Sequence, residues 1–364
     1  MVDLPGFKTF GAASMSDSHL AEVTGVSSNP GQLRGRLYLP PSLQRGAPLV
    51  VALHGCTQTA AGYDRGTGWS TLAEREGFAL LLPEQARGNN PNGCFNWFTP
   101  GDIARCGGEA ESIAAMVEAV VAEHSLDRAR VFVTGLSAGG AMTAVMLATY
   151  PELFAGGAII GGLPYGRASG VPEALAAMRA PSGNATELAQ AVRSASAGYR
   201  GSWPSVSVWH GAADHTVAVA NMDATTAQWL GVHGLDPAAC STEHGAGWTH
   251  RTWRGADGRI AVEERRIAGM GHGVPIDPSG SDRLGVAGPF MLDVALSSTA
   301  EIARSWGLVA AAEVRREPAE APVRRRLVPE VMPANDTAAP PASAATSGVG
   351  QVIEDALRAA GLMR

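Results

Sequence analysis

Three residues of this chain, each just beyond an apolar run, could do chemistry together. Ser137 lies in Gly135-Leu136-Ser137-Ala138-Gly139, Asp214 a few residues after SVSVWHG, and His272 in Gly269-Met270-Gly271-His272-Gly273. A serine hydroxyl is a weak nucleophile at neutral pH, so it needs a base, and the base needs an acid to fix its tautomer and stabilise its charge. Serine, then acid, then histidine is the chain order that goes with a G-x-S-x-G turn. Asp223 and Asp236 also fall between Ser137 and His272, but the first sits in a helical pattern and the second on that helix's far side. Of the later histidines, His215, His233, His244 and His250 are in helical or polar linker contexts. Only His272 lies in a glycine-rich turn after a strand.

Attack on a carbonyl also requires N–H donors for the oxyanion. The residue after the nucleophile, Ala138, supplies one. The loop Leu53-His54-Gly55-Cys56-Thr57 supplies the other, assigned to Cys56 with Thr57 as its nearest substitute. His54 opens that loop and is read as structural.

The elements that must hold these residues are short and buried. VFVT (131–134) runs into the serine turn, and a small-residue helix leaves it. That is the strand-turn-helix context in which a glycine-flanked serine is lifted above a sheet edge. APLVVALHG (47–55), FALLLPE (78–84), AGGAIIGG (155–162) and SVSVWHG (205–211) read as further buried parallel strands. RGRLYLP (34–40) alternates as an edge strand, and 258–277 reads as one strand entering the His272 loop. Helical periodicity covers Trp69 to Glu76, Glu109 to His124, about Asn221 to Val232, and 297–308. This alternation predicts one α/β domain, a mostly parallel sheet with helices on both faces. Its boundaries are placed at 32–309, with a lid or cap at 163–203.

Two long loops carry what remains. Residues 85–108 are dense in Gly, Asn and Pro, and Phe95, Trp97 and Phe98 within them are either that loop's own core or a platform for substrate. Trp69, Trp97, Phe98 and Thr57 are the candidate substrate contacts. Residues 1–31 form an N-terminal extension. The run 310–348 is Ala- and Pro-rich and reads as a disordered linker. In 349–364, Val349, Val352, Ile353, Ala356, Leu357 and Ala360 fall on one helical face, so that segment should dock on its own domain, a sister subunit or another protein.

A 364-residue chain with net charge -6 and no basic face disfavours nucleic acid, and no apolar run reaches the ~18 residues of a membrane span. No secretory signal is visible, which points to the cytoplasm by default, or to secretion if a signal was trimmed or a disulfide is present. Cys56, Cys94, Cys106 and Cys240 show no metal spacing, and neither metal nor cofactor is expected. They read as four reduced thiols, with Cys56–Cys94 the favoured pairing if a bridge forms, since both lie in loops near the site.

LHGCTQTAAGYD (53–64), CFNWF (94–98), GLSAGGAM (135–142), WHGAADHTV (209–217) and GMGHGVPID (269–277) together resemble the polyhydroxybutyrate depolymerase family of esterases, related to feruloyl and acetylxylan esterases. The likeness spans roughly residues 32–308. It implies an α/β-hydrolase fold, a Ser137–Asp214–His272 triad, Cys56 at the oxyanion position and a Cys56–Cys94 disulfide. Cys106 and Cys240 lie outside these blocks, free or bridged. The expected activity is serine carboxylester hydrolysis on hydroxybutyrate polymers or oligomers. Aryl or acetyl esters of plant polysaccharide are the alternative, and an acyltransferase would use the same triad.

Overall fold

The apolar runs become the inner strands of one sheet in a computed structural model that describes residues 19–309. In chain order the elements are β1 (Ala21–Glu22), β2 (Arg34–Tyr38), β3 (Leu49–Leu53), α1 (Ala60–Thr67), α2 (Trp69–Glu76), β4 (Ala79–Glu84), α3 (Gly108–Glu123), β5 (Val131–Leu136), α4 (Ala138–Thr149), β6 (Gly156–Ile160), α5 (Val171–Arg179), α6 (Ala185–Ala195), β7 (Ser205–Gly211), α7 (Ala220–His233), β8 (Ser241–Gly245), β9 (Trp248–Arg254), β10 (Ile260–Ile267), β11 (Val274–Ile276), β12 (Met291–Asp293) and α8 (Ser298–Ser305).

Ten strands form the main sheet in the order β1-β2-β4-β3-β5-β6-β7-β10-β9-β8. From β4 to β10 neighbours run parallel, and every residue of β3, β4, β5 and β6 is buried. Strands apolar on both faces need a helical layer on each, which the crossover helices provide. After β3 the chain goes to β4 on one side and then to β5 on the other. The crevice beyond the carboxyl ends of β3 and β5 is therefore the topological switch point, where such sheets bind ligands.

The stretch read as one strand at 258–277 is β10 followed by the His272 loop. Before it, β8 and β9 form a hairpin that adds two antiparallel strands to the edge. His244 and His250, expected in helix or linker contexts, lie instead in β8 and β9. Polar residues hide this hairpin in the sequence: β8 is exposed throughout. Charge and aromatic contacts hold the extension instead, with the Arg265 guanidinium 4.9 Å from both the Trp209 and Trp248 rings and His250 2.8 Å from Glu263.

Residues 163–203, read as a cap, contain α5 and α6, which are pinned to the body of the domain. Asn221 donates to the carbonyls of Ala177 and Met178, Gln228 to those of Tyr165 and Leu188, and Ser196 to that of Ala148. Among the described residues no helix is long and apolar enough to cross a membrane. Residues 1–18 of the N-terminal extension, the 310–348 linker and the 349–364 helix lie outside the described residues.

Candidate active site

Ser137 occupies the turn between β5 and α4 with φ 57° and ψ -117°, a region L-residues rarely adopt. Its N–H donates to the Ile160 carbonyl at 2.9 Å, which ties the turn to β6. The flanking glycines are dictated by close approach. A Cβ on Gly135 would strike the Gly139 carbonyl, and a Cβ on Gly139 would strike the carbonyls of Leu53 and His54. The serine turn and the loop after β3 are thus packed backbone against backbone.

That loop is held from several sides. Gly55 N–H donates to Gln58 Oε1 at 2.8 Å. His54 is fully buried: its Nε2 accepts from Gln85 N–H (3.1 Å), so its Nδ1 carries the proton and donates to the Gly55 carbonyl (2.8 Å). Burial pushes the His54 pKa down, as suits a neutral imidazole that fixes backbone. Gln85 in turn donates to the Cys94 carbonyl (3.0 Å) and to Glu109, while Glu109 Oε2 accepts from Asn96 N–H (2.8 Å). Cys56 and Cys94 are joined by a disulfide, which leaves Cys106 and Cys240 as free thiols.

The N–H groups of Cys56 and Ala138 meet no acceptor among the described residues. Thr57 differs from the expectation that it could stand in for Cys56: its N–H is already spent on the Asn92 carbonyl at 2.7 Å.

Asp214 and His272 come together across 58 residues of chain, with His272 Nδ1 2.7 Å from Asp214 Oδ2. A carboxylate oxygen accepts, so Nδ1 carries the hydrogen and Nε2 is the free nitrogen. Both side chains are nearly inaccessible. Burial alone would raise the Asp214 pKa, but the imidazoles of His210 and His272 beside it prevail and hold it well below the usual carboxylate range. Asp214 Oδ1 also accepts the N–H groups of Thr216 and Val217, each at 2.9 Å. Gly161, at φ 52°, gives His272 its space, since a Cβ there would lie 3.3 Å from the ring.

Ser137 and His272 line one recess with Gly55, Cys56, Gln58, Leu136 and Phe290. Its volume is about 10 Å³. Two of these residues were not singled out from sequence. Phe290 sits edge-on to His272 (6.2 Å between ring centroids), and Gln58 braces the oxyanion loop. A Gln three residues after Gly55 was within reach of pattern reading. Phe290 carried no local signal.

The expected aromatic walls are elsewhere. Trp69 is 1% exposed and packs between Phe78 and Trp306, so it belongs to the core and not to the substrate pocket. Phe95 lies fully buried 5.0 Å from His54, and Trp97 packs edge-on against Phe98. These favour the reading of a loop core, and neither Trp97 nor Phe98 lines the recess beside Ser137.

A mostly parallel sheet, crossover helices on both faces and a strained serine between β5 and α4 define an α/β-hydrolase fold. The chain belongs to the Esterase PHB depolymerase family, which it matches over residues 33–254. It is 44% identical over 300 residues to poly(3-hydroxyalkanoate) depolymerase C of Paucimonas lemoignei, covering 82% of this chain and 72% of that protein. Feruloyl esterase B of Talaromyces stipitatus is 31% identical over 269 residues (71% and 74%), and acetylxylan esterase A of Aspergillus oryzae 33% over 269 (71% and 85%). Among solved structures, an acetyl xylan esterase from Aspergillus awamori superposes with a TM-score of 0.68 at 28% identity, over 80% of this chain and 99% of that one. The protein is a carboxylic ester hydrolase.

Proposed function

We propose that the chain cleaves ester bonds of a poly(3-hydroxyalkanoate) or its oligomers through an acyl-enzyme on Ser137. The observation that carries the chemistry is the 2.7 Å pairing of Asp214 with His272, whose ring lines the same recess as Ser137 at its strained turn. In this reading His272 Nε2 takes the Ser137 proton as Oγ attacks the ester carbonyl. Asp214 holds the ring in the Nδ1–H tautomer and stabilises the imidazolium. The unengaged N–H groups of Cys56 and Ala138 receive the oxyanion. His272 then protonates the departing hydroxyl, and a water activated by the same nitrogen releases the acid and frees Ser137. Activity falls on the acid side as the base becomes protonated.

The observation that favours a polyester is the 44% relative, which is a depolymerase. The recess beside Ser137 is about 10 Å³, and either a polyester or a polysaccharide chain would have to lie across the surface to present its ester there. The 0.68 TM-score to an acetyl xylan esterase favours an acetylated polysaccharide as the second reading.

Hydrolysis of amorphous polyhydroxybutyrate, p-nitrophenyl acyl esters, methyl ferulate and acetylated xylan separates the two, with Ser137→Ala as control. Release of hydroxybutyrate units at the highest kcat/KM is expected. Preference for acetylated xylan would transfer the assignment to the second reading, and full activity of Ser137→Ala would remove the nucleophile.

A further inference from the structure

His210 is buried against the candidate acid and has no part in the mechanism above. It is the penultimate residue of β7, four residues before Asp214, and only 1% exposed. Its Nε2 lies 2.9 Å from the Val217 carbonyl and 3.3 Å from Asp214 Oδ2. Since a carbonyl oxygen only accepts, Nε2 carries a hydrogen, given to Val217, and sits next to the same Asp214 oxygen that receives His272. Nδ1 is buried with no hydrogen-bond partner among the described residues. A phenylalanine would fill the space without an orphaned nitrogen, so packing alone does not account for an imidazole here.

We infer that His210 is a positioning residue that sets how strongly Asp214 grips the charged form of His272, and thereby where the acid limb of the pH profile falls. This rests on the Ser137–His272–Asp214 reading. Among the described residues Asp214 has three hydrogen-bond donors, Thr216 N–H and Val217 N–H on Oδ1 and His272 on Oδ2, while His210 Nε2 stands 3.3 Å from Oδ2. The first two fix the plane of the carboxylate. The His210 N–H, held on the Val217 carbonyl, brings the positive end of its dipole to 3.3 Å from that oxygen and offsets part of its negative charge, with the ring itself adding bulk beside Oδ2. Both effects weaken the carboxylate's hold on an imidazolium. Without His210 the base protonates more readily, and the acid limb moves to higher pH.

Other groups around the pair do not supply this effect. His215, next to Asp214 in the turn, is exposed. The elements facing His272 contribute Ser137, Gly161 and Phe290, none of which titrates near neutrality.

The test is the pH dependence of kcat and KM on p-nitrophenyl butyrate for wild type, His210→Phe and His210→Gln. Phe fills the space without a donor, and Gln restores an N–H at about the reach of Nε2. His210→Phe is expected to shift its acid limb upward by about half a pH unit or more, with KM nearly unchanged. His210→Gln should return the limb to its wild-type place. A folded His210→Phe with the wild-type profile, or a His210→Gln displaced as far as Phe, overturns the proposal. If His210→Phe does not fold, His210→Asn replaces it, being one methylene too short to reach Asp214. Asn displaced and Gln not displaced supports the proposal, and one shared profile for both overturns it. Ser137→Ala in the same assay keeps the two levels apart. An active Ser137→Ala defeats the underlying triad, whereas an inactive one beside unshifted His210 variants defeats only the role of His210.

Discussion

Two buried aspartates of this molecule each hold a histidine, with a serine nearby, and only one of the two groupings is arranged for chemistry. Asp64, in the second half of α1, accepts Ser70 N–H (2.7 Å), Ser70 Oγ–H (2.6 Å) and His19 Nε2 (2.9 Å). Here the serine gives its proton straight to the carboxylate, and its backbone is helical. The carboxylate satisfies donors at the start of α2, a capping role. Around Asp214 the carboxylate meets the histidine, and the histidine shares a recess with a serine at positive φ beside two unengaged N–H groups. A Ser/His/Asp trio is thus defined by the order of its contacts and by its backbone, not by its membership.

The largest expected effect breaks this contrast in one direction. Asp214→Asn leaves the carboxylate's shape but favours the wrong His272 tautomer, and kcat should fall by about 10⁴-fold. Asp64→Asn should leave kcat within about two-fold while lowering thermal stability, because a hydrogen-bonded buried acceptor is lost at a cost of about 1–3 kcal/mol. Steady-state kinetics beside calorimetry on both variants checks the pair. Equal losses of kcat would erase the distinction.

A smaller effect sharpens it. Asp214 is held ionised by its donors, whereas burial, with hydrogen bonds from Asn96 and Gln85 opposing, raises Glu109 to about 8 from the ordinary 4.5. Glu109 therefore keeps a proton in the folded state that the unfolded chain releases. Its contribution to stability is complete below pH 4.5 and is lost as pH rises through about 8. Between those values the melting temperature of wild type should decline relative to Glu109→Gln. Parallel curves from pH 5 to 9 would show that Glu109 folds ionised.

Much of this was legible because the sheet is buried on both faces: β3 to β6 are mostly apolar runs, and Gly135 and Gly139 mark a turn where backbones touch. Asp214 and His272 could be picked from their places after strands. Contacts between distant, chemically ordinary residues could not. Trp69 in an amphipathic helix reads equally well as pocket or core until Trp306 arrives from 237 positions away to stack on it. The β8–β9 hairpin lacks the alternation that burial imposes, and nothing near His210 in the chain announces its place 3.3 Å from Asp214 Oδ2.

The Ser137 turn also sets a limit on how stable the domain is. Backbone held at φ 57° and ψ -117° costs a non-glycine residue roughly 1–3 kcal/mol, while glycine at the same place would cost about 0.5–1 kcal/mol in unfolded-chain entropy. The balance favours glycine by about 1 kcal/mol. Ser137→Gly should therefore melt about 2–4 °C above wild type while hydrolysing nothing, and a lower melting point would show that the turn is relaxed. Selection for heat resistance alone, without selection for turnover, would discard the serine first.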